Sequence, residues 1–130
     1  MRPLCVSDAQ AALLCSLLAL ACTRDPCAND CKWFGKCTST PAGCTAAGNA
    51  DCARGDACRD YGRCTATEGA CHIGSEADCR KAAPCRLDGR CVPGPKDKCM
   101  AGSDRDCAQS EACRDRGLCK AVDGACATGK

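Results

Sequence analysis

Residues 52–71 are CARGDACRDYGRCTATEGAC, and this cysteine pattern recurs along the chain. The corresponding stretches are residues 79–99 and 107–126, so that equivalent cysteines lie 27 or 28 residues apart. A shorter version occupies residues 27–44. A fixed period of this length is typical of a tandem array of one small structural unit. The sequence therefore predicts a small disulfide-rich fold made of four tandem repeats of about 27 residues.

Large apolar side chains are too scarce in this chain for a conventional core. Only 2% of its 130 residues are aromatic, whereas 19 are cysteine. A chain with so little apolar surface to bury needs cross-links or metal in order to fold. Disulfides stabilise mainly by restricting the unfolded chain, and they form in oxidising compartments. We therefore expect cystine sulfur to replace much of the missing aliphatic packing, and we expect the protein to be exported.

The N-terminal segment has the features of an export signal. Met1 and Arg2 form a short positive region, and residues 11–21 (AALLCSLLALA) form an apolar run. Such a run is suited to a signal peptide and is too short to span a bilayer. These features predict a signal peptide at residues 1–21 and a mature N-terminus or short tether at residues 22–26.

Cys22 is a candidate for lipidation. Residues 19–21 (Ala-Leu-Ala) form a small-x-small cleavage site and also resemble a bacterial lipobox, in which Cys22 would receive a diacylglyceryl group. Removal of the signal would leave 17 cysteines, and lipidation of Cys22 would leave 16 that can all pair. This even number favours a lipoprotein over plain secretion with a free Cys22 thiol.

The remaining cysteines fall four to each predicted repeat, and all are disulfide candidates. The predicted repeats cover residues 27–48, 49–75, 76–103 and 104–130. Their cysteines are Cys27, Cys31, Cys37 and Cys44, then Cys52, Cys58, Cys64 and Cys71, then Cys79, Cys85, Cys91 and Cys99, and finally Cys107, Cys113, Cys119 and Cys126. Four cysteines allow three connectivities, and the spacing leaves all three open. Cysteines six apart on one helix point about 120° apart, so we expect them to bond to different partners.

Each predicted repeat has the same local order of short helix, glycine turn and extended return. Ser75-Glu-Ala-Asp78 and Ser103-Asp-Arg-Asp106 resemble capping boxes with Asp in place of Glu. Good helix formers follow, as in residues 106–116, and predict one helix of two or three turns. Glycine then ends the helix as a left-handed C′ residue or, alternatively, forms the turn of a hairpin between the flanking cysteines. These glycines are Gly35, Gly62, Gly89 and Gly117.

Basic residues recur beside the second and third cysteines of the predicted repeats. Pairs four apart would share one face of a helix. The candidate binding ridge consists of Arg59, Arg63, Arg86, Arg90 and Arg114. Such a ridge would suit acidic polysaccharide or an acidic envelope protein. The net charge of only +2 and the interspersed aspartates, however, favour a solvated face of mixed charge over a binding ridge.

The sequence does not favour a metal site or a catalytic site. Structural metal sites and thiol-redox sites favour pairs such as Cys-x2-Cys, whereas the closest pair here is Cys27 and Cys31. A thiolate metal-binding or redox-buffering protein is therefore the less favoured alternative to a cystine scaffold. His72 is the single histidine, and the equivalent positions of the other predicted repeats hold different residues. We expect no catalytic residue, no cofactor and no enzyme activity.

Aromatic residues are few, and two of them are adjacent. Trp33 and Phe34 stand together in the first predicted repeat. We interpret them as a local core filler rather than as a contact patch or a cap of the array. So few aromatic side chains do not favour a stacking surface for single-stranded nucleic acid.

The spacing Cys-x5-Cys with an internal glycine, as in Cys58-Arg-Asp-Tyr-Gly-Arg-Cys64, resembles that of tandem cysteine-rich repeat lipoproteins of bacterial envelopes. The likeness covers residues 22–130. It implies an outer-membrane or cell-surface lipoprotein, or a secreted protein, with no established biochemical activity. Membrane attachment would then be through a lipid on Cys22. Residues and resemblance together predict a structural or binding module of the cell envelope.

Overall fold

The computed structural model describes residues 24–129. The predicted signal peptide and the lipidation candidate Cys22 lie outside the described residues. Within them the chain forms short helices and two-stranded antiparallel hairpins, with no closed sheet. The helices are α1 (Ala28–Phe34), α2 (Asn49–Ala53), α3 (Asp56–Tyr61), α4 (Glu76–Arg80), α5 (Ala83–Asp88), α6 (Asp104–Ala108) and α7 (Glu111–Arg116). The paired strands are β1 (Thr38–Thr40) with β2 (Gly43–Thr45), β3 (Thr65–Thr67) with β4 (Ala70–His72), β5 (Val92–Gly94) with β6 (Lys98–Met100), and β7 (Lys120–Val122) with β8 (Ala125–Ala127).

The helix predicted between the first two cysteines of a repeat is interrupted. In residues 104–116, α6 ends before Gln109 and α7 begins after Ser110, which is extended (φ −85°, ψ 157°). The Ser110 Oγ accepts a hydrogen bond from the Cys113 N–H (3.1 Å). Gly55 and Ala82 are extended at the equivalent positions before α3 and α5. The prediction of one continuous helix is therefore wrong, because the second helix has its own N-cap.

The prediction of left-handed glycine C-caps is confirmed. The four glycines that follow α1, α3, α5 and α7 have φ between 69° and 80°. The N–H of Gly62, for instance, donates to the carbonyl oxygen of Cys58 at 3.0 Å. The alternative, a hairpin with its turn at the glycine, does not form at these positions. Each glycine instead directs the chain toward a hairpin that lies beyond the third cysteine.

Of the two predicted capping boxes, the one at Ser103 forms its serine half, and the one at Ser75 does not form. The Ser103 Oγ accepts a hydrogen bond from the Asp106 N–H (3.2 Å). Ser75 makes no side-chain capping bond. Its expected partner, Asp78, instead accepts hydrogen bonds from the Thr65 hydroxyl (2.6 Å) and the Gly74 N–H (2.9 Å). Asp78 therefore ties α4 to the preceding hairpin instead of closing a capping box.

Two nested disulfides close each predicted repeat. The first cysteine bonds to the fourth in Cys27–Cys44, Cys52–Cys71, Cys79–Cys99 and Cys107–Cys126. The second bonds to the third in Cys31–Cys37, Cys58–Cys64, Cys85–Cys91 and Cys113–Cys119. The expectation that cysteines six apart avoid each other is wrong for the second and third cysteines, because the C-cap glycine ends the helix between them. Eight disulfides indicate an oxidising, extracellular setting.

The buried core of the described residues consists of cysteine and alanine. Every buried apolar residue is one of these two types, and the first cysteine of each predicted repeat is 0% exposed. Trp33 and Phe34, by contrast, are 52% and 55% exposed, so their interpretation as a local core filler is wrong. Cystine sulfur therefore occupies the place that aliphatic side chains take in larger domains.

Successive predicted repeats meet where a C-cap glycine approaches the next outer disulfide. A Cβ atom placed on Gly35 would lie 2.6 Å from the Cα of Cys52 and 2.9 Å from the Sγ of Cys71. Along the same side of the molecule α1 contacts α3, α3 contacts α5, and α5 contacts α7. The glycine is needed for its left-handed backbone and also because no side chain fits between the two units.

The hairpins are joined by one further kind of contact. The Ala46 N–H donates to the carbonyl oxygen of Gly69 (2.8 Å), and the Ala101 N–H donates to that of Gly124 (2.9 Å). At the equivalent position the Ile73 N–H donates to the Asp97 Oδ1 (2.8 Å). Asp97 lies in the turn that carries the extra residue of the third predicted repeat. Its carboxylate therefore replaces the backbone carbonyl that the longer turn displaces.

An aspartate before the first cysteine also bridges successive predicted repeats. The Asp51 Oδ2 accepts hydrogen bonds from the Ala47 N–H (3.0 Å) and the Thr38 hydroxyl (2.8 Å). These hydrogen bonds, the one from Ala47 more than the one from Thr38, hold the pKa of the Asp51 carboxyl below its ordinary value. A carboxylate with a lowered pKa stabilises the folded state above its ordinary pKa, and that contribution is lost as the pH falls through the lowered value.

We therefore expect Asp51→Asn to destabilise the protein at neutral pH and to have little effect in acid. Urea unfolding of the disulfide-intact protein at neutral pH, and again well below the ordinary carboxyl pKa of 3.8, measures the difference. Asp123→Asn is the matched control, since Asp123 is exposed on a hairpin turn. A destabilisation by Asp51→Asn that is the same at both pH values would contradict a role for the charge.

Candidate binding surface

The predicted binding ridge is divided between two locations. Arg59, Arg86 and Arg114 lie on α3, α5 and α7. Arg63 and Arg90 follow Gly62 and Gly89, which end α3 and α5. The prediction that residues four apart share one helical face is therefore wrong for these pairs, since the helix stops between them.

The helical arginines are already paired with carboxylates. Arg59 donates to Asp60 (Nε to Oδ1, 2.8 Å), Arg114 lies 3.3 Å from Asp115, and Arg86 pairs with Glu111. The hydrogen bond from Arg59 lowers the pKa of the Asp60 carboxyl below its ordinary value. Exposed ion pairs of this kind contribute little to stability, and they are weakened by salt. The outer face of the helices is thus a surface of mixed charge.

A groove of about 380 Å³ gathers several cations between the second and third predicted repeats. Its cationic lining is Arg59, Arg80, Lys81 and Arg86. Each of these cations has a carboxylate within 4 Å; Arg80, for example, pairs with Glu76 and Asp106. This groove therefore offers an incoming anion few free charges.

A larger groove, of about 470 Å³, also lies between the second and third predicted repeats. We call it the Tyr61 groove. Its cations are Arg63, Arg90 and Lys98, and its carboxylates are Asp60, Asp88 and Asp97, with Tyr61, Pro84 and Cys99 completing the wall. The volume of the groove is in the range of small-molecule sites.

Arg63 is held against the wall of the Tyr61 groove. Its guanidinium carbon lies 5.7 Å from the centre of the Tyr61 ring. Its Nε is buried 3.2 Å from the Asp97 Oδ2, and this ion pair lacks the alignment of a hydrogen bond. The Nδ1 of His72 lies at the same distance from that oxygen. His72 is thus a half-exposed residue of β4 that contacts the longer turn between β5 and β6. The equivalent positions of the other predicted repeats hold no histidine.

Sequence reasoning identified Arg63 and Arg90 but missed the rest of the Tyr61 groove. Asp97 and Lys98 come from the turn between β5 and β6, where the third predicted repeat has one extra residue. Lys96 and Asp97 both have positive φ (59° and 54°), an uncommon conformation for residues other than glycine. The insertion was visible in the sequence, but its position facing Tyr61 depends on how two predicted repeats stack.

Residues 24–129 contain no candidate metal centre and no candidate membrane span. No cluster of three or more His, Cys, Asp or Glu side chains there is arranged to hold a metal ion. None of the helices in this part of the chain has the length and apolar character required to cross a bilayer. The sixteen disulfide candidates of the sequence are all paired with one another.

The chain was compared with known proteins at three levels. No protein-family model matches it, and no curated protein or solved structure is significantly similar to it.

Proposed function

We propose that this protein is an exported scaffold of four tandem, disulfide-stapled repeats that acts as a structural or binding module of the cell envelope. It is attached to the membrane through a lipid on Cys22 and carries out no catalysis. The observation that supports this most directly is the pairing of all sixteen cysteines of residues 24–129 inside the predicted repeats. Small, covalently closed units resist unfolding and cleavage outside the cell.

The contacts between units support a stiff array over a flexible string. Gly35 approaches the Cys52–Cys71 disulfide, and Gly62 and Gly89 approach the next outer disulfides in the same manner. The bridging carboxylates of Asp51 and Asp78 add polar contacts at these junctions. Units that stack on their neighbours in this way present their charged side chains along one extended surface. Acidic polysaccharide or an acidic envelope protein is the partner that we propose for this surface.

The cystine scaffold is favoured over a thiolate metal store or redox buffer. A thiolate store requires reduced cysteines, whereas here every described cysteine lies at bonding distance from another. The first cysteines of the predicted repeats are also fully buried, where thiols react slowly.

The intact mass of the mature protein, native and denatured, before and after reduction, tests the proposal. We expect reduction to add two hydrogens for each of the eight disulfides, sixteen in total, and we expect a diacylated Cys22 at the N-terminus. In a host that processes lipoproteins, Cys22→Ser should remove the lipid mass and release the protein from membranes, without changing the gain of sixteen hydrogens.

One kind of result would overturn the scaffold, and another would remove only its membrane anchor. An unchanged mass on reduction, or metal retained in the native spectrum, would favour the thiolate alternative. The full gain of hydrogens without lipid on the native Cys22 would leave a freely secreted scaffold and would remove the membrane anchor.

A further inference from the structure

We propose that the Tyr61 groove is a binding site for an acidic sugar, a hexopyranose ring that carries a carboxylate. This inference rests on the proposed binding role and locates it at one place in the array. The groove lies between the second and third predicted repeats, where the turn between β5 and β6 is longer than its counterparts. The equivalent groove between the third and fourth predicted repeats has Asp88, Leu118 and Ala125 in place of Tyr61, Arg90 and Lys98, so the proposed contacts belong to one junction.

The carboxylates of the Tyr61 groove all have cationic partners. Asp60 is hydrogen-bonded by Arg59, which also pairs with Asp56, and Asp88 pairs with Arg116 (3.5 Å), so both carboxylates are engaged by cations outside the groove. The third carboxylate, Asp97, is engaged by Arg63.

Arg90 and Lys98 then remain. Both are exposed, and neither has a carboxylate within ion-pair distance among residues 24–129. Two unpaired cations that line one groove attract a carboxylate more strongly than the paired arginines of the helices can.

The Tyr61 ring provides the apolar part of the site. It is 59% exposed at the end of α3. The Arg63 guanidinium carbon lies 5.7 Å from the ring centre. A hexopyranose has one face of C–H groups that can cover an aromatic ring, and its hydroxyls remain free to bond to the charged walls. A simple inorganic anion would use the cations and leave the ring unused.

The backbone of the β5–β6 turn is consistent with a binding role. Lys96 and Asp97 hold two consecutive left-handed conformations, which carry a conformational cost for side chains of this kind. This turn places Lys98 in the groove and directs Asp97 toward Arg63 and the Ile73 N–H.

Titration of the isotope-labelled, disulfide-intact protein with tetragalacturonate, followed by NMR, tests the site. We expect saturable shifts of the Tyr61 ring and of amides near residues 61–63, 88–90 and 97–99. Maltotetraose, which is neutral, and acetate, which has the charge but no ring, should each bind at least about tenfold more weakly, because each lacks one of the two contacts.

Single substitutions distinguish binding at the Tyr61 groove from binding at the helical arginines of the predicted ridge. Arg90→Gln and Lys98→Gln should each weaken tetragalacturonate binding about tenfold. Tyr61→Ala should weaken tetragalacturonate and leave acetate unchanged. Arg114→Gln is the matched control, since it removes an exposed arginine of the predicted ridge that lies outside the groove. Unchanged unfolding curves for Arg90→Gln and Lys98→Gln would show that their effects are local.

Three results would overturn the acidic-sugar site. Equal weakening by Arg90→Gln and Arg114→Gln would point to a diffuse basic surface. Acetate that binds as tightly as tetragalacturonate would point to an anion site without sugar recognition. Absence of binding to a protein whose mass confirms disulfides and lipid would remove the groove and leave the scaffold proposal standing.

Discussion

Reduction of all the disulfides is expected to abolish the cooperative unfolding transition of this protein. Disulfides contribute about 2–4 kcal/mol each, so eight together exceed the about 5–15 kcal/mol by which ordinary domains are stable. The buried apolar residues are cysteine and alanine, and little hydrophobic burial remains once the cystines are opened. Thermal unfolding followed by circular dichroism, with and without reductant and thiol alkylation, measures the effect. A cooperative transition in the fully reduced, metal-free protein would contradict this account.

The two kinds of disulfide provide the control for this prediction. Cys79–Cys99 closes a loop with a sequence separation of 20, and Cys85–Cys91 one with a separation of 6. From loop closure, we expect Cys79→Ala with Cys99→Ala to cost about 3 kcal/mol, and Cys85→Ala with Cys91→Ala about 2 kcal/mol. The outer pair also loses a fully buried contact, because Cys79 is 0% exposed. If removal of the inner pair lowered the free energy of unfolding in urea as much as removal of the outer pair, or more, loop closure would not be the main contribution of these disulfides.

Much of this fold could be predicted from cysteine spacing and turn residues. The helix ends could be predicted because glycine adopts a left-handed backbone without strain, and a glycine recurs at each of these positions. The scarcity of large apolar residues predicted a cystine core. The break at Ser110 was missed because serine, alanine and glycine stand at equivalent positions, and no shared helix breaker marks them. Connectivity could not be derived, because four cysteines allow three pairings and the helical angle does not apply to Cys58 and Cys64, which lie on either side of Gly62.

The surface could be predicted less well than the fold. The charge and exposure of Arg59 and Arg114 could be predicted from the sequence. Their carboxylate partners lie within or beside the same helix, so the net attraction of these arginines for an anion is small. Arg90 and Lys98 are brought together by stacking of one predicted repeat on another and by a turn one residue longer than its counterparts. Sequence alone shows the extra residue and does not show what faces it.

A pair of glycine-to-alanine substitutions should separate the backbone cost of a C-cap from the cost of disturbing the stack. Gly89 and Gly117 have nearly the same backbone (φ 69° and 70°) and both end a helix. A Cβ on Gly89 would lie 2.6 Å from the Cys126 Sγ and 2.8 Å from the Cys107 Cα, whereas a Cβ on Gly117 meets nothing within 4 Å in the described residues. The two positions therefore differ in surroundings and not in conformation.

We expect Gly117→Ala to cost about 1–2 kcal/mol, from the left-handed backbone alone. Gly89→Ala should cost about 1–3 kcal/mol more, because the added methyl must displace a disulfide and a backbone atom of the next predicted repeat, neither of which can rotate away. Urea unfolding of both disulfide-intact variants measures the difference directly, and hydrogen exchange at the Cys107 amide should report looser packing only in Gly89→Ala. Equal destabilisation by the two substitutions would mean that neighbouring units are not in tight contact. A larger loss at Gly89 would show that each unit depends on the next, which is what a stiff extracellular array requires.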